Sequence, residues 1–219
     1  YLQYKLSWDK LSITPGLRYE SIEISRSDYG KEDPERLGTN LSSRQNEVDI
    51  FIPGLGFNYT LHASITLFGG VHKGFAPPGS KEGTQAEESW NYELGSRINK
   101  GAYRLQLITY YNDYSNLLGS DLAAAGGLGT ADLFNGGEAI AKGIELEATY
   151  DPMHNAGIGI NMPISLVYTY TDARFGSNFE SDFGAWGDVQ DGFHLPYTPR
   201  HQLALSFSLE HSKFLFDIS

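Results

Sequence analysis

Apolar and polar side chains alternate along most of this chain. Leu203, Leu205, Phe207 and Leu209 interleave with Ala204, Ser206, Ser208 and Glu210. Ile144, Leu146 and Ala148 interleave with Glu145, Glu147 and Thr149. Residues 164–170 repeat the pattern with one break at Val167, and Leu11, Ile13, Leu17 and Tyr19 oppose Ser12, Thr14, Arg18 and Glu20. A period of two places alternate side chains on opposite faces of an extended strand, whereas a helix would need a period near 3.6. The pattern predicts roughly ten strands, over 1–8, 11–25, 46–60, 63–75, 88–99, 102–115, 138–151, 162–175, 198–211 and 213–219. Lengths of about 8 to 15 residues reach or exceed the roughly 9–11 that a tilted strand needs to cross a bilayer. Strands of soluble proteins are usually shorter.

The connections alternate in length. Short turns are expected at Asp9-Lys10, Leu61-His62, Lys100-Gly101 and near His211-Ser212, and long polar links at 26–45, 76–87, 116–137 and 176–197. The link at 152–161 is intermediate. Tight turns on one rim and long loops on the other are the arrangement of outer-membrane barrels, which sends the odd-numbered strands down to the periplasm. The links themselves are loop-like: Asp28, Gly30, Asp33 and Pro34 favour turns, and the stretch 123–129 is all Ala, Gly and Leu. Alternation resumes after each link, so residues 1–219 read as one sheet within one barrel domain.

Composition agrees with that fold class, all-β and transmembrane. No apolar run approaches the roughly 18 residues of a membrane helix, and mean hydropathy is −0.34. A barrel strand needs apolar side chains only at alternate positions and satisfies its backbone in the closed sheet, so low hydropathy does not exclude it. Aromatic residues make up 13% of the chain, with 14 Tyr, 12 Phe and 3 Trp, which suits interfacial girdles. A formal net charge of −11 argues against nucleic acid as a partner. The chain has no cysteine, so it forms no disulfide and no thiolate metal site.

Little points to catalysis. Glu145 and Glu147 lie two apart on one strand face, but general acid–base work needs a cleft that raises one of the two pKa values, and the reading preferred is a polar lumen wall. His62, His72, His154, His194, His201 and His211 are scattered without ligand spacing, so no metal or cofactor site is expected. No G-x-S-x-G elbow is present, and the glycines at 126–129 lack the Lys and Ser/Thr of a phosphate loop. Trp90, Tyr92, Tyr103, Tyr110, Tyr111 and Tyr114 are expected at girdle and lumen rim, with substrate contact by loop-proximal tyrosines as the second reading.

Several ordered segments carry a resemblance to a known family. Leu67–Pro78 includes Lys73-Gly74-Phe75-Ala76-Pro77, and Trp90-Asn91-Tyr92-Glu93-Leu94-Gly95 follows after a short loop. Residues 11–20 and 52–59 precede these segments, and residues 110–114, 142–146 and 197–201 follow them. Together they resemble the barrel of TonB-dependent receptors, with most likeness to the ferric citrate branch. Ala76 stands where that family commonly has arginine, so no role of that arginine carries over. The resemblance implies part of a barrel of about 22 strands, with the plug, the TonB-contacting segment and the closing strand outside this sequence. It further implies a Gram-negative outer-membrane location, membrane lipid around the barrel, a TonB complex reached through the plug, and active uptake of a ferric chelate such as ferric citrate or a siderophore. A passive porin is the alternative, and an outer-membrane enzyme of about ten strands is disfavoured for want of an acidic and histidine cluster. The apolar band faces lipid, so the loops 76–87, 116–137 and 176–197 are expected to hold the ligand. Arg174, His194, Arg200 and Tyr114 are the residues expected to contact it, the cations by pairing with an anionic chelate.

Overall fold

The computed structural model describes residues 1–80, 83–120, 133–181, 184 and 187–219. The glycine-rich stretch at 123–129 and part of the link 116–137 lie outside the described residues. One antiparallel sheet of 12 strands dominates. Its strands are β1 (Leu2–Gln3), β2 (Leu6–Trp8), β3 (Leu11–Asp28), β4 (Ser42–His62), β5 (Ile65–Ala76), β6 (Glu87–Lys100), β7 (Tyr103–Tyr114), β10 (Ala139–Tyr150), β11 (Ile160–Asn161), β12 (Ile164–Phe175), β15 (His201–His211) and β16 (Phe214–Ile218). Two small ribbons lie in the long links: β8 (Leu118–Ser120) with β9 (Leu133–Asn135), and β13 (Phe179–Glu180) with β14 (Asp188–Val189). Long neighbours in sequence are neighbours in the sheet, from β3 through β4, β5, β6, β7, β10 and β12 to β15, and β16 pairs with β15. This is an up-and-down wall; among the described residues it does not close on itself.

All ten expected strands are present, and five boundaries differ for physical reasons. The ladder between β3 and β4 continues to Asp28 and Ser42, which shortens the expected 26–45 loop to 29–41. A bulge between Thr60 and His62 shifts the next turn to Ala63 and Ser64. Pro163 separates β11 from β12, because proline has no N–H for the ladder. Pro199 and the left-handed Tyr197 (φ 59°) delay β15 until His201. The turn expected at Lys100-Gly101 closes instead over Gly101 and Ala102, where Gly101 takes φ 56°.

Directly paired residues share a face, so the register sorts the side chains. Across β6, β7, β10, β12 and β15 one face carries Ile98, Leu105, Ala148, Leu166 and Leu205 in one row, and Ser96, Leu107, Leu146, Tyr168 and Leu203 in the next. The opposite face carries Arg97, Gln106, Glu147, Val167 and Ala204. Much of the first face is exposed, including Leu94, Leu107, Ile144, Leu203 and Leu205. Such a broad apolar surface on a sheet needs a non-aqueous neighbour, and lipid meets that need. We call it the outer face. Stacked Tyr103 and Tyr150, 4.7 Å apart, mark its lower edge, and Tyr92 with Tyr111, 6.2 Å apart, its upper edge. Tyr103 and Tyr111 are separated by eight residues of β7, about 27 Å of strand and about 20 Å of height at the usual tilt, near the roughly 25 Å apolar band of such barrels.

Above that band the hairpin of β3 and β4 reverses its polarity. Through Leu17, Pro53, Tyr19 and Phe51 the apolar residues lie on the outer face, with the Tyr19 and Phe51 rings 4.9 Å apart. Beyond them the outer face carries Ser21, Asp49, Glu23 and Glu47, while Ile22, Ile24, Val48 and Ile50 turn inward. A sheet that leaves lipid for water has to exchange faces in this way, so Tyr19 and Phe51 mark the membrane boundary here. Ile50 is buried, at 4% exposure.

The inner wall is built around glycines covered by rings. A Cβ at Gly95 would lie 2.5 Å from the Phe68 ring and 2.9 Å from the Leu107 carbonyl. Arg97 in turn places its guanidinium 5.1 Å from the centre of the Phe68 ring. At Gly143 a Cβ would collide with the Tyr170 carbonyl and the Tyr110 hydroxyl, and that hydroxyl shares a 2.6 Å hydrogen bond with Thr171. Tyr110 thus spans three strands across the space that Gly143 leaves.

Candidate functional site: the loop crown

The four two-residue turns and the 151–163 link lie at one rim; the links 29–41, 77–86, 115–138 and 176–200 lie at the other. Side-chain amides lock the long links into a crown. Asn46 Nδ2 donates to the carbonyls of Gly79 and Thr84, both at 3.0 Å, tying the upper part of β4 to the 77–86 loop. Asn116 Nδ2 donates to Gln85 at 3.1 Å and Ala86 at 3.0 Å. Asn135 Oδ1 accepts the Gln85 N–H at 3.2 Å, and Glu87 accepts the Leu118 N–H at 2.9 Å. The crown continues through the Glu138 N–H, which donates to Ser177 Oγ at 3.2 Å, and through Asn178, which accepts the Asp191 N–H at 2.8 Å. An amide carries donors and an acceptor together, so one asparagine can satisfy loop carbonyls that have no strand partner.

The hairpin tip at 29–41 is held separately. Asp33, 4% exposed, accepts the N–H groups of Leu37 at 2.9 Å, Gly38 at 2.7 Å and Thr39 at 3.2 Å. These bonds, led by that from Leu37, hold its carboxyl below the usual carboxylate range against the opposing effect of desolvation. Asp28 is likewise held low, first by the Gly30 N–H at 2.9 Å and then by Arg26. Both loop carboxylates therefore stay ionised well into the acid range.

The aromatic group expected at girdle and rim divides between the faces. Trp90, Tyr92, Tyr103 and Tyr111 point outward, whereas Tyr110 and Tyr114 point inward. The four expected ligand contacts divide as well. Tyr114 pairs with Ser89 and Ala139 on the inner face, half-buried beneath the crown. Arg174 belongs to the outer face, two residues above Asp172 and in register with Ile140. His194 bridges to Arg174, and its Nδ1 lies 3.7 Å from Asp172. Arg174 Nε donates to Asp172 at 2.9 Å, and the Arg200 guanidinium contacts the His194 ring. The structure therefore brings Arg174, His194 and Arg200 together and places Tyr114 on the other side of the wall. Glu145 and Glu147 lie on the inner face, opposite Thr169 and Val167.

An apolar trough of about 630 Å³, lined by Leu11, Ile13, Leu55, Phe57, Val71 and Leu94, lies on the outer face. It is a lipid-facing surface and holds no polar group of the crown. On the inner face, Gly16, Gly54, Gly56 and Gly70 leave a hollow of about 910 Å³ bordered by Arg18, Asn58, Phe68 and His72. The crown asparagines were not anticipated; their only mark in the sequence is asparagine inside or beside turn-rich links.

An up-and-down wall with an apolar outer face, aromatic edges, short turns at one rim and an interlocked crown at the other defines part of an outer-membrane-type β-barrel. Residues 1–216 match the family model described as "TonB dependent receptor-like, beta-barrel", and the chain belongs to that family. It is 24% identical over 208 residues to the pesticin receptor of Yersinia enterocolitica, covering 90% of this chain and 28% of the relative. It is also 24% identical over 216 residues to the ferrioxamine B receptor of Salmonella typhimurium, covering 96% and 27%. Among solved structures it is similar to the unliganded ferric citrate transporter FecA, with a TM-score of 0.62 at 19% identity over 94% of this chain and 29% of that one. That likeness establishes the fold. The chain thus spans under a third of the length of the relatives it matches.

Proposed function

We propose that the protein to which this wall belongs is an active receptor of the Gram-negative outer membrane that takes up a ferric chelate, a siderophore complex or ferric citrate. The observation that carries this reading is the family match over residues 1–216, and the names of relatives that are themselves receptors, one for ferrioxamine B, support it. In this reading the crown captures the chelate from outside. Tyr114 contacts it from the inner face, its ring offering an apolar surface and its hydroxyl a hydrogen bond. A plug within the barrel completes the site and carries the TonB contact, and the polar inner wall around Arg97, Gln106, Glu145 and Glu147 is the surface on which that plug rests. The wall binds and positions; it carries out no chemical step.

The test is growth under iron limitation on a panel of ferric chelates, using a strain that lacks the parent gene and is complemented by the intact gene. A second complement lacks residues 116–137, and each strain is compared with and without TonB. Growth on one chelate that needs the gene, the loop and TonB is the expected result. Growth independent of TonB, with small solutes leaking through the purified protein, would replace the receptor by a passive channel.

A further inference from the structure

The seam between β4 and β5 ends lower than its counterparts. His72, Asn91, Asn112, Ala141 and Ala173 stand in one row across β5, β6, β7, β10 and β12. Above that row the seam of β6 with β7 continues to Ser89 and Tyr114, and the Ser115 N–H adds a last bond to Glu88. The seam of β10 with β12 likewise continues to Ala139 and Phe175, and the Gly176 N–H adds a last bond to Glu138. The ladder of β4 with β5 stops in the row itself, at Gly54 and His72. It falls three residues short of the others, about 10 Å of strand. Meanwhile β4 stays paired with β3 for twelve residues beyond Gly54, up to Ser42 and Asp28. That hairpin rises beside β5 without being laddered to it.

Pro53 accounts for the break. The Thr60 N–H bonds Lys10 on the β3 side at 2.7 Å, so even-numbered residues of β4 turn their backbone groups to β3. Odd-numbered residues, Pro53 among them, turn theirs to β5. The next pair of the seam, Pro53 with Lys73, would need the N–H that proline lacks. Just below, the inward positions Gly16, Gly54, Gly56 and Gly70 are directly paired in twos, and the hollow they leave gives an inward bend no side chain to meet. Asn46 ties the hairpin across the gap. Its Nδ2 donates at 3.0 Å to the carbonyls of both Gly79 and Thr84 in the loop after β5, while its Oδ1 accepts the Glu47 N–H on its own strand. Between hairpin and loop lies a space of about 630 Å³ bordered by Val48, Pro78 and Ala86, so the two are not packed tight there. From the break, the glycines and this tie we infer that the β3–β4 hairpin above Gly16 and Gly54 is a hinged arm of the crown, which Asn46 latches to the 77–86 loop. Released, the arm bends inward and carries Ile22, Ile24 and Val48 toward the lumen. Pro53 keeps the seam from zipping upward and freezing the hinge. The inference needs the barrel wall described above but not the identity of the cargo.

The test uses the full-length receptor, free of other cysteines, in lipid vesicles. Spin labels at E35C on the hairpin and S115C at the top of β7 report the distance between arm and wall by pulsed electron paramagnetic resonance. A second pair, S115C with E180C, lies within the wall and its crown and serves as control. With Asn46 intact the first pair should give a single distance. N46D keeps the size of the side chain but removes both donated bonds, and should shift the ratio of latched to released arm about 30-fold, seen as a second, displaced population. P53T restores the missing N–H; added to N46D, it should extend the ladder through residues 53 and 73 and return the arm to a single distance. The control pair should stay unchanged in every variant, which shows that the barrel has folded. An N46D distribution like that of the parent, equal broadening of the control pair, or a second population that persists with P53T would overturn the inference.

Discussion

Replacing Leu107 by arginine should destabilise the folded receptor by about 2–4 kcal/mol, the cost of a cation at the middle of a barrel's lipid face. Leu107 lies midway between Tyr103 and Tyr111 on the outer face of β7, beside Ser96 and Leu146, and is 40% exposed. No carboxylate stands directly opposite it on either neighbouring strand, and lipid offers none, so the guanidinium would have to reach toward the headgroups. Ile108→Arg, one residue along, is the matched comparison. It points to the inner wall, opposite Gly95 on one side and Glu145 on the other. There the arginine finds a carboxylate within reach on a polar wall, so much less stability should be lost. Denaturant titration of the receptor refolded into lipid vesicles measures both. Two variants that differ by one position and by several kcal/mol are the signature of a two-faced wall in a membrane; similar losses from both would argue against it.

The second large effect belongs to Gly143→Val. Its new side chain would occupy the space of the Tyr110 ring and collide with the Tyr170 carbonyl, which is backbone and cannot swing away. Overpacking usually costs about 1–3 kcal/mol and more when backbone must move. Here the displaced Tyr110 also loses its hydrogen bond to Thr171, adding about 1 kcal/mol. The receptor should therefore fail to accumulate in folded form, read as loss of the compact band that folded barrels show on unheated gels. A Gly143→Val, Tyr110→Ala double variant should recover part of the folded population, because only the backbone collision remains. If the single variant folded normally, the ring-over-glycine packing would not be what holds β7, β10 and β12 together.

Strand cores were legible because lipid on one side and a polar wall on the other force a strict period of two. The same parity places Arg174 outside, since it shares its phase with Leu166 and Tyr168 on β12. Tyr114 has the opposite phase on β7, so the two expected ligand contacts stand on different sides of the wall. Strand ends were harder to read. The β3 and β4 hairpin runs past the membrane, and its reversal from Leu17 and Tyr19 to Ile22 and Ile24 is a phase slip that resembles the end of a strand. Interruptions at Pro163 and Pro199 are local chemistry, whereas the crown bonds of Asn46 and Asn116 join residues about 30 or more apart. No periodicity encodes such contacts.

Site-directed spin labelling along β7 tests the placement of the wall most directly. The described chain contains no cysteine, so in a cysteine-free full-length receptor single cysteines at 104, 105, 106, 107, 108 and 109 carry the only labels. In lipid vesicles, labels at 105, 107 and 109 should be relaxed by oxygen, which concentrates in the bilayer, and those at 104, 106 and 108 should be shielded from it. A flat profile, or one with the two sets exchanged, would contradict the assignment of lipid to the Leu105 and Leu107 face and with it the account of the crown and the inner wall.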